Sequence, residues 1–321
     1  MSADLQLKRS PSNLAALFAK GVAMGMGDAV PGISGGTIAV ITGIYEELIG
    51  SIGRIDLTAV SLFFTGQIGK CWSHINGSFL TVLALGVLAG LVVSANSVLY
   101  LLENHFEPLM GFFIGLVLAS TYFLKAEFNG RSWRNLFAAL LGIAGVTLIS
   151  TVPQQAASIS FISVFFYGAI AICAMILPGL SGAFILLILG VYEFILNALI
   201  QFQLSYIAVF GAGCICGLLA FARLLNWLLH HHRHLSYSFL TGMLVASVVT
   251  LWPWQAAMTA LHEDTQNHLV ATMRLSPFEY LSQTGNDPAL LATVVSFLLG
   301  AIAVFLVHEL ARESNHQKVD K

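Results

Sequence analysis

The chain has 321 residues, of which 57% are hydrophobic and 9% charged, with a mean hydropathy of +0.83 and a formal net charge of −2. That composition excludes an ordinary soluble domain, and the near-neutral balance excludes a nucleic-acid partner. The length suits one membrane domain of several helices, each needing about 20 apolar residues.

Residues 1–13 form a polar N-terminal segment with no short apolar core and small-residue cleavage site, so no removed signal peptide is expected. Leu14 to about Gly27 is expected to be a short helix with Ser12 or Asn13 as its N-cap. Asp28 to Ile33 interrupts it, because Pro31 and Gly32 break a helix inside an apolar stretch. Ser34 is placed to cap a second short helix reaching about Ile49. Each arm has about 15 residues, roughly 22 Å, too short for an untilted crossing of the ~30 Å hydrocarbon layer. A hairpin over 14–50 that enters and leaves on one side fits better. Residues 51–77, with Arg54, Asp56, Lys70 and His74, form a surface connection carrying one amphipathic turn or helix. Spans are expected at about 78–102, 108–124 and 134–151, completing a unit over 14–152. A second unit over 153–310 holds a hairpin at 160–201, broken at Pro178-Gly179, and spans at about 204–229, 236–254 and 289–310. Residues 255–288 are the longest polar loop, and 311–321 are a charged cytoplasmic tail.

The two units share a motif. Pro31-Gly32-Ile33-Ser34-Gly35 leads to Gly43-Ile44-Tyr45-Glu46, and 147 positions later Pro178-Gly179-Leu180-Ser181-Gly182 leads to Gly190-Val191-Tyr192-Glu193. Gly86, Gly90, Gly115, Ala119 and Ser120 recur as Gly213, Gly217, Gly242, Ala246 and Ser247, each 127 positions on. The glycines four apart read as helix-packing faces. One hairpin plus three spans crosses an odd number of times, so the second unit is expected to be inverted relative to the first. With cytoplasmic termini, thirteen of the fourteen Lys and Arg fall inside and only Arg274 outside. If each hairpin crossed fully, the count would be eight against six. The tryptophans fall near predicted span ends, where aromatic belts lie. The expected fold class is therefore an all-α polytopic membrane protein of two inverted-topology repeats, each a re-entrant helix hairpin plus three transmembrane helices.

Two such hairpins entering from opposite faces meet near mid-membrane with the N-termini of their second arms pointing inward. A helix N-terminus carries roughly half a positive charge and several unpaired N–H groups. Gly35, Gly36 and Gly182 leave those amides open, while Ser34, Thr37 and Ser181 add hydroxyls, so the paired tips suit an anion without a buried cation. A tight turn satisfied by its own protein is the alternative. Pro31, Gly32, Pro178 and Gly179 form the breaks. Arg223, seven residues before His230, either meets a phosphate on the cytoplasmic side or snorkels to the surface. Asp28 has Met175 at the equivalent place and serves either proton or sodium coupling or as a cap. Glu46 and Glu193 are either gates, one per face, or interfacial anchors. His230, His231, His232, Arg233 and His234 read as a solvated basic loop touching lipid headgroups. Cys71, Cys173, Cys214 and Cys216 have neither zinc nor disulfide spacing, so no metal or cofactor is expected.

The run Met24-Gly25-Met26-Gly27-Asp28-Ala29-Val30-Pro31-Gly32-Ile33-Ser34-Gly35-Gly36-Thr37, continuing to Gly43-Ile44-Tyr45-Glu46-Glu47-Leu48-Ile49, resembles the signature of the PopT-type polyprenyl-phosphate transporters. The likeness extends over nearly the whole chain. The second copy is looser, with Ala183 for the second Gly and Phe184 for the Thr. The resemblance implies a translocase that moves undecaprenyl phosphate across the bacterial plasma membrane by alternating access, recycling the carrier for cell-envelope polysaccharide synthesis. It implies no catalysis, with the lipid substrate and membrane lipids as partners and a coupling proton or sodium ion left open. Two rivals remain. Membrane undecaprenyl-pyrophosphate phosphatases use a similar Pro-Gly-x-Ser turn followed by Arg, whereas Gly35 and Gly182 stand here. A small-anion transporter would seal its pathway from lipid.

Overall fold

A computed structural model describes residues 11–28, 34–124, 132–151, 159–259 and 270–319. Pro31 and Gly32 lie outside the described residues, as do Lys125, Arg131, and the acidic and histidine positions of 260–269.

The first hairpin consists of α1 (Pro11–Asp28), α2 (Gly35–Ile41) and α3 (Tyr45–Gly53), and the second of α9 (Phe161–Ile176), α10 (Gly182–Ile188) and α11 (Tyr192–Ile200). Each second arm, expected as one helix, is two. The reason is Gly43 and Gly190, which sit at φ +70° and +68°. Their amides bond back to Val40 and Leu187, and the next amides, of Ile44 and Val191, reach Ala39 and Leu186. This is a Schellman ending, which side chains disfavour and glycine permits. Between α10 and α11 the axis turns by 111°. The Gly-x-Tyr-Glu half of the repeated motif is thus a second break.

Six long helices follow the hairpins: α6 (Gly77–Asn104), α7 (Phe106–Leu124) and α8 (Trp133–Thr151) after the first, and α12 (Leu204–His231), α13 (Arg233–Thr250) and α15 (Leu290–Val319) after the second. Among the described residues, α6, α7, α8 and α12 contain windows long and apolar enough to cross a membrane. Their outward faces are apolar too, as at Leu88, Val92, Leu148 and Ile215, which suits lipid as solvent. α13 is more polar, and it is buried through Ser236, Ser238, Leu240, Met243, Leu244 and Ser247.

Backbone-to-backbone glycine contacts join the helices. α1 lies on α6, where Gly21 and Gly86 face each other and a Cβ on Gly90 would meet the Val22 carbonyl at 2.2 Å. α9 lies on α12 by the same contacts, Gly213 against Phe165 at 2.0 Å and Gly217 against Ala169 at 2.6 Å. The partners differ by 147 positions on the hairpin side and 127 on the span side. The remaining helices exchange between halves: α7 packs on α15 and α13 on α8. A Cβ on Gly115 would meet Phe297 O at 2.0 Å and one on Gly242 would meet Ala139 O at 2.0 Å; Gly300 faces Phe112 O and Gly142 faces Phe239 O. Gly142 and Gly300 are 158 positions apart, as are Ala139 and Phe297, a third offset between the two units.

That longer offset accommodates the segment between α13 and α15. It holds an antiparallel ribbon, β1 (Gln255–Thr259) and β2 (Val270–Arg274), and α14 (Pro277–Thr284), rather than a bare loop. Ser276 and Glu279 form a capping box at α14, with Pro277 in its first turn. Trp252 and Trp254 donate their indole N–H groups to the Leu275 and Pro288 carbonyls at 2.8 and 2.9 Å, so they secure this segment. The connection after the first hairpin holds two short helices, α4 (Leu57–Phe64) and α5 (Ile68–His74). Asp56 caps α4 through the Ala59 amide at 2.9 Å and also meets His74 at 3.1 Å.

Candidate functional site

The two breaks touch. Ser34 is the N-cap of α2; its Oγ accepts the Gly36 amide at 3.1 Å and donates to the Met175 carbonyl in the last turn of α9 at 2.5 Å. The Gly179 amide donates to Thr37 Oγ1 at 3.0 Å. Gly179 stands at φ +86°, a conformation its side-chain-free backbone allows. Gly36 lets the tips close, since a Cβ there would sit 2.3 Å from the Ile176 carbonyl. Ser34, Gly35, Gly36, Thr37 and Gly179 are all buried.

The tips are unequal in what they leave free. At the first, the Gly35 amide donates to Asp28 Oδ1 at 2.6 Å, Gly36 to Ser34 Oγ, and Thr37 to the Ser34 carbonyl at 2.8 Å. All three opening amides of α2 are engaged by the protein itself, one of them by a carboxylate. At the second, Ser181 begins α10 without a side-chain capping bond. Among the described residues the Ser181 hydroxyl and the Gly182 and Ala183 amides have no hydrogen-bond partner. Ser181 is partly exposed, and Gly182 packs on the Ala171 carbonyl of α9. The difference follows from one residue: the position equivalent to Asp28 is Met175, which offers only its carbonyl, to Ser34. An open helix start with a free hydroxyl can hold an anion; a start already facing a carboxylate can do so only once that carboxylate moves.

The other expected site residues lie elsewhere. Arg223, exposed on α12, donates to the Ile55 carbonyl at 2.6 Å just beyond α3, away from the tips. Glu46, in the first turn of α3, accepts from the Tyr237 hydroxyl and pairs with Arg233 at 3.0 Å. Glu193 is exposed and has no such partner among the described residues. His230 and His231 bond back to the carbonyls of Asn226 and Trp227 on their own helix.

Sequence reasoning missed Lys20. Its Nζ donates to the Thr42 carbonyl at 2.7 Å, placing an ammonium at the negative end of α2. A lone lysine within an apolar helix is the signal that points to it. Tyr237 and Arg233, the partners of Glu46, were missed as well; nothing in local spacing links residue 46 to residue 237.

The chain matches the family described as undecaprenyl phosphate translocase-like over residues 24–269. It is 36% identical over 298 residues to a polyprenyl-phosphate transporter of Vibrio cholerae serotype O1, covering 92% of this chain and 96% of that protein. It is 30% identical over 252 residues to a polyprenyl-phosphate transporter of Staphylococcus aureus, covering 73% of this chain and 84% of that one. No solved structure matches it.

Proposed function

This chain belongs to the undecaprenyl phosphate translocase-like family, and from that premise we propose that it is a multi-pass carrier of polyprenyl phosphate, undecaprenyl phosphate in particular. It would move the lipid between leaflets of the bacterial plasma membrane and return the carrier to cell-envelope synthesis. The observation that carries this reading is the interlock of the two breaks, Ser34 with Met175 and Thr37 with Gly179, beside a second tip whose donors are free.

In this reading the phosphate is held by Ser181 and Gly182, with Ser34, Gly35, Gly36 and Thr37 forming the facing wall. Held by hydroxyls and main-chain N–H groups, it needs no cation buried in lipid. The prenyl tail stays among the apolar outer faces of the helices. Glycine contacts repeated at matched offsets support a duplicated unit, and the distribution of Lys and Arg supports inversion of the second copy, with both termini cytoplasmic. Hydrolysis fits less well: a phosphoryl transition state calls for a cationic clamp, and both positions after the tip serines are glycine.

Reconstitution in liposomes tests the reading. A fluorescent short-chain polyprenyl phosphate should become accessible to an outside quencher only when the protein is present, with no inorganic phosphate released from undecaprenyl pyrophosphate. Phosphate release without leaflet exchange would favour the hydrolase.

A further inference from the structure

The two hairpins are alike in sequence and unlike in packing. α3 lies on α12, where a Cβ on Gly53 would come within 3.9 Å of Asn226 Cβ. Ile49 and Ile52 of α3 are 0% and 9% exposed. Their equivalents 147 positions later, Leu196 and Leu199 of α11, are 45% and 50% exposed. Glu46 is held by Tyr237 and Arg233, whereas Glu193 is exposed and free of partners among the described residues. Equivalent segments in unequal surroundings are what a carrier of two repeats presents when it occupies one of two exchangeable states.

We propose that α3 docked on α12 is one state, latched by Glu46 to Tyr237 and Arg233, and that in the other state α3 leaves α12 while α11 docks on α6. This rests on reading the chain as a two-repeat carrier. The second surface is fixed by equivalence: Ile200 and Leu99 stand 147 and 127 positions from Gly53 and Asn226.

The latch is weak enough to open. The Glu46 and Arg233 side chains are 40% and 46% exposed, so their ion pair adds little. Tyr237 contributes a hydrogen bond to a charged acceptor, the stronger component. Against it stands Tyr45, whose hydroxyl is buried in the docked arrangement without a partner among the described residues. Undocking would expose that hydroxyl to one, which opposes the latch. The latch also acts on one state only. The positions 127 before Tyr237 and Arg233 are Met110 and Phe106, which offer Glu193 neither a hydroxyl nor a charge.

Disulfide trapping in membranes tests the exchange, using full-length protein with its four native cysteines replaced. Gly53→Cys with Asn226→Cys has near-ideal Cβ separation for a bridge and should cross-link at once. Ile200→Cys with Leu99→Cys should cross-link slowly, and about tenfold faster when Glu46→Gln or Tyr237→Phe removes the charged hydrogen bond. The first bridge should stop lipid movement until it is reduced. Equal rates for the second pair with and without the latch, or unimpeded lipid movement by the bridged first pair, would overturn the proposal. If cross-linking exchanges as expected while the reduced protein moves no polyprenyl phosphate, the substrate assignment fails and the exchange stands.

Discussion

Gly179 donates its amide proton to the hydroxyl of Thr37 at 3.0 Å, a buried bond joining the two halves of the chain at their breaks. Replacing Thr37 with Val keeps the shape and removes the acceptor, leaving a buried N–H unpaired. A loss of about 1–3 kcal/mol is expected. Thermal unfolding in detergent checks it, with Thr37→Ser, which keeps the hydroxyl, close to the parent.

At the first tip, Asp28 lies against Gly35 so closely that a Cβ there would sit 2.6 Å from its Oδ2. Gly35→Ala should therefore expel the carboxylate from the tip. Asp28→Ala removes a charge-assisted bond to the Gly35 amide and should destabilise by about 1.5–3 kcal/mol. Asp28→Asn keeps an acceptor without the charge, so it should unfold nearer the parent and bind polyprenyl phosphate more tightly. Weaker binding by Asp28→Asn would mean that the carboxylate does not oppose the headgroup.

The glycine contacts predict a matched pair and a control. Gly115→Val and Gly242→Val each drive a side chain into a backbone carbonyl, of Phe297 and Ala139, and should destabilise alike. Gly211, on α12, has open space around its would-be Cβ. Gly211→Ala should be neutral or stabilising by up to about 1 kcal/mol, since alanine is the better helix former. Detergent-solubilised melting curves would separate the two classes.

Asp56 lies in the connection between the first hairpin and α6, which the charged residues Arg54, Asp56, Lys70 and His74 lead us to expect at the surface. The Ala59 amide, aided by His74, holds its carboxyl below the usual 3.8. A depressed folded value means the cap is fully effective above pH 3.8 and is lost as pH falls below it toward the lowered value. Protease protection of residues 51–77 should weaken in that acid window. Asp56→Asn should remove the dependence on pH.

How far the sequence reached depends on the range of the signal. Apolar runs, the turn at Pro178-Gly179 and the 127-position glycine matches were legible because each is a local pattern. The bend at Gly43 was present in the repeated motif but read as a continuing helix, since one glycine in a helical run does not announce a Schellman ending. The ribbon and α14 were hidden in a polar segment whose strands pair only with each other. The meeting of Ser34 with Met175 was expected in kind. Its chemistry was not, because that bond goes to a main-chain carbonyl, which any residue would supply. Arg223 stood between two readings, phosphate contact and snorkelling to the surface, and its bond to the Ile55 carbonyl, 168 positions away, is one that no local pattern announces.

Equilibrium binding of a polyprenyl phosphate and of the matching polyprenyl alcohol to the purified protein, and to Ser181→Asp, tests most directly whether the paired breaks hold a lipid-borne anion. The account predicts tight binding of the phosphate by the parent, weak binding of the alcohol, and loss of the phosphate preference in Ser181→Asp through repulsion between like charges. Equal affinity for phosphate and alcohol, or an unchanged preference in Ser181→Asp, would contradict it.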